Sequence, residues 1–534
     1  MTDGSHLPDV LPALLRRRPP VTIAAAAVVA LLASALALRA PAPTYPTGDH
    51  AVLELYTLYA SETLWPVGPY SRFVWHHPGP LFIYWELPWY LASGRQTLGM
   101  AAGALALSVV SLGGLLALLV RVTPAAVGTS AALALGAYTL RLHTLSTDYW
   151  NPLVVVLPMT LLVVLGAGLA CRRWRQMPWF MLVASFLVQT HVSVVPCVVA
   201  VTALALLMAW RGRTAEDARI GGLRRALVVT ALVLGTAWAL PVLDSLRHWP
   251  GNLGTLVMFF VEPVALVPWS IAVASSSRLV TAMFRPGLAI PGGDVHLAAP
   301  EALTVLSAAL QVVWLAAVAW RARRDRQFPL AALAMLGVTV VLVALASLTR
   351  VRGPVGDYLT FWLSSVAVLN WSVCLGGTIA IYTGPKTTIG DRGVRIARAT
   401  AVAIVALVAG DGIRHLAGTA RDYLEPVATA RHTRDLTDAV EARVRADGAA
   451  HPQFRIAGGV WPEGAGVVLQ LRKRGLPVTV VGDVDFVFAA MPTGHEDALF
   501  WFTDERGAAV LGSSVTTVAR AGRVVVVTPR QHVR

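Results

Sequence analysis

The amino-acid sequence predicts a polytopic α-helical membrane protein, with about 11 transmembrane helices and a C-terminal α/β domain outside the membrane. The composition is the first indication. The 534 residues are 56% hydrophobic and only 14% charged, whereas soluble chains carry roughly 25% charged residues. Apolar runs of roughly 20 residues, enough to cross the hydrocarbon core of a bilayer, recur along most of the chain. A rise in charge and in short β-rich runs near the C-terminus indicates the second domain.

The first predicted span is the apolar run from Pro20 to Arg39, which follows the arginines at positions 16–18. It is longer than the apolar core of a signal peptide and further spans follow it, so we interpret it as an uncleaved helix with a cytoplasmic N-terminus. Ten further spans are predicted near Thr97–Leu119, Ala125–Leu140, Pro152–Ala170, Pro178–Val194, Val195–Trp210, Ala226–Leu243, Ala302–Trp320, Pro329–Ala346, Leu359–Thr383 and Ala399–Val408.

Arginine clusters between these spans predict how the chain is oriented in the membrane. If Pro80–Leu91 does not cross the bilayer, all of them fall on the side of the N-terminal arginines, as the positive-inside rule requires. The net charge of +14 is thus explained by membrane topology, and nucleic acid is not an expected partner. The clusters comprise Arg172, Arg173, Arg175, Arg211, Arg213, Arg224, Arg225, Arg321, Arg323, Arg324, Arg326, Lys386, Arg392, Arg395 and Arg398.

The loop after the first span, residues 40–96, is dense in aromatic and ionisable side chains. Polar groups beside hydrocarbon are costly unless solvated or paired, so their accumulation here indicates a functional loop. Within it, His50–Glu62 is predicted to form a helix on the membrane surface, because its apolar residues recur at helical spacing. Pro80–Leu91 is apolar but short and contains Glu86, which predicts an interfacial or re-entrant helix.

A change of character near Gly418 predicts two domains, residues 1–417 in the membrane and residues 418–534 outside it. The segments FRIAGG, PVTVVGD, FVFAAM, ALFWFT and RVVVVTP are typical of strands, while Asp435–Ala446 and Gly464–Arg474 are typical of helices. The glycines of Gly458-Gly459 and Gly464-Ala465-Gly466 suggest a nucleotide-binding turn. Their spacing does not match the dinucleotide fingerprint, so a structural turn is favoured.

Several motifs lie in the predicted outer loops. Asp49 opens the first of them, and the segment His77-Pro78-Gly79-Pro80-Leu81 with Tyr84 follows in the same loop. The tripeptides WNP at Trp150 and PGN at Pro250, and the tetrapeptide QTHV at Gln189, lie in later loops. This arrangement resembles the C-type (GT-C) membrane glycosyltransferases, which include protein O-mannosyltransferases, the lipid A aminoarabinose transferase and actinobacterial arabinosyl- and mannosyltransferases. The resemblance covers residues 1–420.

The resemblance implies that Asp49 is the catalytic base and that the donor is a sugar carried on a polyprenyl phosphate. A base must take the proton of the acceptor hydroxyl as that oxygen attacks the anomeric carbon. The phosphate leaving group needs cations or hydrogen-bond donors, for which Arg72, His76 and His77 are the candidates. Two alternatives remain open at this stage. Asp49 also fits an N-cap of the helix near His50, and Arg72 also fits an anchor to lipid headgroups.

Other polar residues of the outer loops are further candidates. For the donor phosphate we predict Arg352 and Tyr358, with Arg350 beside them, since these arginines lie against the positive-inside trend. Contacts to the acceptor or other parts of the substrate are predicted for Glu54, Asn151, His191 and Asp244.

No cofactor is expected. Several GT-C enzymes have paired acids at the catalytic position, whereas His50 follows Asp49 here, which weakens a divalent-metal interpretation. A zinc site at His76-His77 lacks a clear third ligand. The cysteines Cys171, Cys197 and Cys374 are predicted to be packing residues.

The sequence therefore predicts an inverting membrane glycosyltransferase that uses a polyprenyl-phosphate sugar and an extracytoplasmic glycan, lipid or protein acceptor. Its arginine- and alanine-rich composition is typical of high-GC actinobacteria, so a cell-wall arabinan or mannan is an expected acceptor by resemblance. The main alternative is a transporter or flippase for a lipid-linked or polar substrate, which predicts charges within the spans and two similar halves. A non-catalytic scaffold that binds wall polymer is the second alternative.

Overall fold

A computed structural model describes residues 44–211, 220–291, 300–383, 391–422, 428–482, 484–488 and 496–530. The predicted first span at Pro20–Arg39 and its arginines lie outside the described residues. Two short strands, β1 (Tyr70–Ser71) and β2 (Trp75–His76), form an antiparallel hairpin between the first two helices. The helices up to residue 422 are α1 (Gly48–Glu62), α2 (Leu81–Ala92), α3 (Thr97–Val122), α4 (Ala125–Arg141), α5 (Asn151–Val154), α6 (Val156–Ala170), α7 (Met177–Thr190), α8 (Val195–Arg211), α9 (Ile220–Arg247), α10 (Gly251–Val261), α11 (Trp269–Val280), α12 (Ala302–Arg324), α13 (Phe328–Leu348), α14 (Trp362–Thr383) and α15 (Asp391–Asp422).

Each of the ten predicted spans after the first coincides with a helix. Eight helices of the described chain are long and apolar enough to cross a membrane: α3, α5 with α6, α8, α9 and α12 to α15. The other two, α4 and α7, have 17 and 14 residues. The polytopic helical fold is therefore confirmed. The count of 11 spans stays a prediction, because α4 and α7 are not among these eight helices and the first predicted span lies outside the described residues.

The segment predicted to be an interfacial or re-entrant helix is α2. Its 12 residues extend only about 18 Å at 1.5 Å per residue, too short to cross a bilayer. Since α2 does not cross, α3 is the first helix after α1 to cross the membrane, and it begins on the same side as α1. The helices that follow it then cross in alternating directions.

Helix α1 differs from the prediction of a surface helix. Its bounds are close to those expected, but Val52, Leu53, Leu55, Tyr56 and Leu58 are all buried, so no face of the helix is left for a membrane surface. The membrane helices α2 and α3 cover one side and the C-terminal domain covers the other, in one continuous apolar core. The sequence pattern indicates that the helix is apolar. It does not indicate that a second side of the helix is covered by residues about 400 positions further along the chain.

The C-terminal domain contains a five-stranded sheet in the order β4-β3-β5-β7-β6. Strand β3 is parallel to β4 and β5, while β7 is antiparallel to β5 and β6. Its elements are α16 (Ala428–Ala446), β3 (Pro452–Ile456), α17 (Trp461–Lys473), β4 (Thr479–Val481), α18 (Asp485–Phe488), β5 (Ala498–Thr503), α19 (Glu505–Leu511), β6 (Val515–Ala521) and β7 (Val524–Pro529).

Four of the five predicted strands and both predicted helices coincide with elements of this domain. The segment FVFAAM was wrongly predicted to be a strand: its first three residues belong to α18, a helical turn in which Val487 and Phe488 are buried against α1. A short apolar run does not distinguish a buried strand from a buried helical turn. Strand β6 was not predicted, because only Val515 of its seven residues is buried and its sequence shows no continuous apolar run.

The glycines of α17 have a packing role. A Cβ atom at Gly464 would lie 2.9 Å from Ile456 Cγ2, and one at Gly466 would lie 2.7 Å from the carbonyl oxygen of Pro46. These glycines therefore allow α17 to approach both the sheet and the chain that leads into α1.

Candidate active site

Asp49 lies in the first turn of α1, where the N-terminal end of the helix dipole favours a carboxylate. Its Oδ1 accepts a hydrogen bond from the Tyr70 hydroxyl, and its Oδ2 accepts one from Trp150 Nε1 at 2.6 Å. The N-cap of α1 is Thr47, and no side chain caps the helix. The Asp49 carboxylate is thus held in a fixed orientation by two aromatic donors rather than used as a helix cap.

The half-buried Asp49 opens onto a cavity of about 800 Å³. The walls come from the β1–β2 hairpin, the start of α5, the turn between α7 and α8, the end of α10 and the loop between α13 and α14. Pro196 of α8 and Val343 and Ala346 of α13 form an apolar wall where the cavity enters the helix bundle. The cavity therefore has a polar end at Asp49 and an apolar end between membrane helices.

Three guanidinium groups line this cavity, those of Arg72, Arg350 and Arg352. Arg72 donates to the carbonyl oxygens of Arg352 and Pro354 at 3.1 and 3.0 Å. Arg352 pairs with Glu262 at 2.9 Å and lies 4.0 Å above the ring of Phe259. Arg350 has no hydrogen bond or ion pair through its side chain within the described chain. Its guanidinium is therefore the one with all of its donors available to a ligand.

Close backbone packing shapes the His77-Pro78-Gly79-Pro80 segment. A Cβ at Gly79 would lie 2.3 Å from Gln189 Oε1 and 2.7 Å from Pro241 Cγ, so glycine is required. Gln189 Oε1 also accepts from the Leu81 backbone N–H at 3.3 Å, and its Nε2 donates to the Ala237 carbonyl. This glutamine thereby ties the segment to α9.

The amide of Asn252 holds the backbone of the two histidines. Its Oδ1 accepts from the His76 N–H at 2.9 Å, and its Nδ2 donates to the His76 and His77 carbonyls at 2.9 and 3.3 Å. Asp244 Oδ2 in turn accepts from the Asn252 backbone N–H at 3.3 Å. Asp244 does not line the cavity. It supports the histidine segment through Asn252 and does not contact the cavity surface.

The two adjacent histidines point to different surroundings. His77 lines the cavity, and burial, followed by the neighbouring His191 and His76, holds its pKa well below the ordinary value. Its Nδ1 accepts the Val192 N–H at 3.2 Å, which leaves the proton of the neutral ring on Nε2. His76 lies outside the cavity lining, beside the Tyr56 hydroxyl at 3.2 Å, and burial lowers its pKa to about 4. Neither ring supplies a positive charge at neutral pH.

Three more of the predicted residues line the same cavity: Asn151, His191 and Tyr358. Asn151 donates to the Thr190 carbonyl at 3.3 Å. The Tyr358 ring lies 5.3 Å from that of Trp150. Burial raises the pKa of Tyr358, Arg72 lowers it and Asp49 raises it, so this phenol lies within electrostatic range of both charged groups.

Glu54 is placed elsewhere. It is fully buried on α1 and accepts hydrogen bonds from Lys473 Nζ and Thr97 Oγ1, each at 2.7 Å. It belongs to the contact with the C-terminal domain and does not line the cavity that contains Asp49.

The roles of Tyr70, Trp150, Gln189 and Asn252 were not predicted. Each of the last three lies in a motif noted in the sequence, WNP, QTHV or PGN, so a signal was present without an assignment. The partners of Asp49 lie 21 and 101 positions away along the chain, and only the fold brings them to its two oxygens. No group of three histidine, cysteine, aspartate or glutamate residues suited to a metal occurs among the described residues.

The fold is similar to that of ArnT from Cupriavidus metallidurans. The crystal structure bound to undecaprenyl phosphate aligns with a TM-score of 0.52 and 15% identity over 95% of this chain and 97% of that chain. The apo structure aligns with a TM-score of 0.52 and 13% identity over 94% and 97%. No model of a known protein family matches the chain, and no curated protein matches it. The chain therefore has an ArnT-like GT-C fold, and at these identities the similarity establishes the fold alone.

Proposed function

We propose that this protein is an integral membrane glycosyltransferase that transfers a sugar from a polyprenyl phosphate to a hydroxyl acceptor with inversion at the anomeric carbon. One observation carries the proposal. A single cavity contains an oriented carboxylate at Asp49, three guanidinium groups and an apolar wall between α8 and α13. A lipid phosphate bearing a sugar needs each of these features: a base, a site for an anion and a place for its chain.

In the proposed reaction, the Asp49 carboxylate accepts the proton of the acceptor hydroxyl. The oxygen then forms a bond to the anomeric carbon as the bond between that carbon and the phosphate oxygen breaks. The electron pair of the broken bond leaves with the polyprenyl phosphate. A single displacement of this kind inverts the anomeric configuration. Tyr70 and Trp150 orient the carboxylate before the substrates arrive, which reduces the reorganisation that the reaction requires.

The developing charge on the phosphate is stabilised by Arg350, assisted by Arg72 and Arg352, which line the same cavity. Guanidinium groups form short, charge-assisted hydrogen bonds to phosphate oxygens. Neutral His77 contributes an Nε2–H donor rather than a charge. The structure of ArnT with undecaprenyl phosphate, on the same fold, supports a polyprenyl phosphate as the kind of donor.

The proposed location is the plasma membrane, with the N-terminus in the cytoplasm and the C-terminal domain outside. The cavity and the C-terminal domain lie at the end of the bundle opposite the arginine clusters, which supports this orientation. The donor would then enter laterally from the outer leaflet. An extracytoplasmic glycan is the proposed acceptor, and a cell-wall polymer is the candidate suggested by the sequence resemblance.

The test is transfer from a set of polyprenyl-phosphate sugars by the purified full chain and its Asp49→Asn variant. General-base catalysis contributes about 10²- to 10⁴-fold, so we expect a loss of that order with an unchanged thermal unfolding midpoint. Asp447→Asn is the matched control, because Asp447 pairs with Arg443 away from the cavity. Transfer at the wild-type rate by Asp49→Asn would show that the base lies elsewhere. No transfer from any donor by folded wild-type protein would favour the transporter or scaffold alternatives.

A further inference from the structure

A second cavity, of about 410 Å³, borders the first turn of α1. The chain before α1, the start of α3 and the turn before α5 line one part of it. The end of α15 and the start of α16 line the rest. It therefore lies where the membrane helices meet the C-terminal domain, at the same end of the bundle as the cavity that contains Asp49.

The two cavities meet at two pairs of consecutive residues. Asp49 lines the first cavity and His50 lines the second. In the same way Trp150 lines the first and Tyr149 lines the second. The hydrogen bond from Trp150 Nε1 to Asp49 Oδ2 joins these two segments. The proposed base thus lies next in the chain to a residue that lines the second cavity, and a transferase needs two substrates to meet at its base.

The lining of the second cavity is rich in hydroxyl groups and poor in charge. No lysine or arginine belongs to the described lining, and its one carboxylate, Asp148, is paired with His50 at 2.8 Å. Six threonines and two tyrosines belong to the lining: Thr44, Thr47, Thr97, Thr144, Thr147, Thr429, Tyr45 and Tyr149. Two of these hydroxyls already donate within the protein, that of Thr97 to Glu54 and that of Thr147 to the Thr144 carbonyl.

One of these hydroxyls lacks a partner although it is buried. Thr44 is 2% exposed, and its Oγ1 makes no hydrogen bond in the described chain. A buried hydroxyl without a partner costs free energy unless a ligand or water satisfies it. The half-buried Thr144 of the same lining also makes no hydrogen bond through its hydroxyl among the described residues.

We propose that this second cavity binds the acceptor, and that the acceptor is a neutral, hydroxyl-rich saccharide rather than a phosphorylated lipid. The inference rests on the proposed function and specifies its acceptor. A saccharide presents hydroxyls to the threonines and apolar ring faces to the tyrosines. An anionic acceptor would find no lysine or arginine among the described lining residues, whereas the first cavity has three arginines for the donor phosphate. His50, which lines the second cavity, is the neighbour of the proposed base in the chain.

The experiment is saturation-transfer difference NMR on the full chain in lipid nanodiscs, without glycoside detergents. The probes are maltotriose and mannotriose, with mannose 6-phosphate as the anionic comparison. We expect saturation transfer to the neutral trisaccharides and little to the phosphate. Thr144→Val, which removes one hydroxyl at nearly constant volume, should weaken their binding about fivefold, the effect of one hydrogen bond. Thr144→Trp, which fills the cavity, should abolish it.

Thr517→Val, on an exposed position of β6, is the control and should leave saccharide binding unchanged. The proposal is overturned if no neutral trisaccharide receives saturation from folded wild-type protein. Stronger binding of the sugar phosphate, or binding unaffected by both Thr144 substitutions, would also overturn it. If Thr144→Trp does not fold, Thr144→Val decides alone. Binding of undecaprenyl phosphate to the same samples reports on the first cavity, so a failure of the proposed function is seen separately.

Discussion

Arg350 stands apart from the other two arginines of the cavity. Arg72 and Arg352 already donate to protein oxygens, whereas the Arg350 side chain has no such partner in the described chain. A hydrogen bond to a charged group contributes about 1.5–3 kcal/mol. We therefore expect Arg350→Gln to weaken binding of undecaprenyl phosphate about 10-fold or more, with little change in the unfolding midpoint.

The measurement is equilibrium binding of undecaprenyl phosphate to the purified variants in nanodiscs. Arg323→Gln, at the opposite end of the bundle, is the matched control and should bind as wild type does. The same affinity in Arg350→Gln and wild type would remove Arg350 from the phosphate site. Arg72→Gln is a poorer probe, because it also removes the contacts that hold the loop between α13 and α14.

The ion pair between His50 and Asp148 makes stability depend on pH. Burial alone would lower the pKa of His50, but the Asp148 carboxylate 2.8 Å away raises it above its ordinary value of 6.5. Burial would likewise raise the pKa of Asp148, but His50 and the Trp150 N–H hold it below its ordinary 3.8. The raised pKa of His50 gives stability that is complete below about pH 6.5 and is lost as pH rises through that raised value. The lowered pKa of Asp148 gives stability present above about pH 3.8 and lost as pH falls through that lowered value.

His50→Gln should therefore lower the thermal unfolding midpoint most between about pH 4 and pH 6.5, and progressively less above that range. The measurement is the difference in midpoint between wild type and His50→Gln across this pH series. Asp148→Asn should show the same profile, and the double variant should add little to either single one. A difference that does not vary with pH would indicate that the pair is a neutral hydrogen bond.

At the scale of elements, α1 is held between two domains. Its buried Glu54 pairs with Lys473 of α17, which is itself 14% exposed on its side chain. Removing one partner of a buried pair leaves an uncompensated charge and costs about 3–5 kcal/mol. We expect Lys473→Met to lower the free energy of unfolding by an amount in that range.

A double-mutant cycle distinguishes this effect from simple loss of packing. Glu54→Gln in the Lys473→Met background should restore part of the stability, because the buried charge is then gone. Lys473→Met with no effect on the unfolding midpoint would show that the C-terminal domain does not stabilise α1 through this pair. The measurement is reversible unfolding of the four proteins in the same detergent.

Local sequence patterns predicted the positions of the helices and strands more accurately than they predicted the packing partners of those elements. Helix α1 was expected near its observed bounds, yet its burial depends on α17 and α18, which no local pattern reports. The loop between α9 and α12 contains the helix α11. It packs against α12, α13 and α14, and its Arg278 forms an ion pair with Asp357. Periodicity identifies an amphipathic helix, but the partner of each face is set by tertiary structure.

The candidate site shows the same limit. Asp49, Arg72 and His77 lie within one loop and were predicted from it, and the structure places all three in one cavity. Glu54 also carries a carboxyl group and lies in the same helix as Asp49, but it pairs with Lys473 at the contact with the C-terminal domain. A single sequence shows which side chains are capable of the chemistry. It does not show which of them form an ion pair or a hydrogen bond with a residue far away along the chain.

At the scale of the whole molecule, the candidate site and the arginine clusters lie at opposite ends of the helix bundle. The cavity, the hairpin and the C-terminal domain lie at one end. At the other end lie, at or beside the ends of their helices, Arg172, Arg211, Arg323 and Arg395. A substrate that reaches the cavity through the apolar wall of α8 and α13 must come from the leaflet at the cavity end. Under the proposed function, the orientation of the protein therefore decides which pool of lipid-linked sugar is the donor.

The positive-inside rule places the arginine end in the cytoplasm, which predicts a cavity and a C-terminal domain on the outer side. Single cysteines test this in cells. Cys197 and Cys374 are buried, and the half-buried Cys171 is replaced by serine to remove background. In that background, Val510→Cys on the 87% exposed position of α19 should react with a membrane-impermeant maleimide in intact cells.

Arg323→Cys, at the other end of the bundle, should react only after the membrane is permeabilised, and this pair of variants forms an internal control. The reverse labelling would place the cavity on the cytoplasmic side. The donor would then have to come from the inner leaflet, and an extracytoplasmic glycan would no longer be a reachable acceptor. Labelling of Val510→Cys alone in intact cells would instead place both cavities on the outer side of the membrane. The proposed phosphate site at Arg350 and the proposed acceptor cavity would then face the compartment in which a flipped lipid-linked sugar and a wall polysaccharide meet.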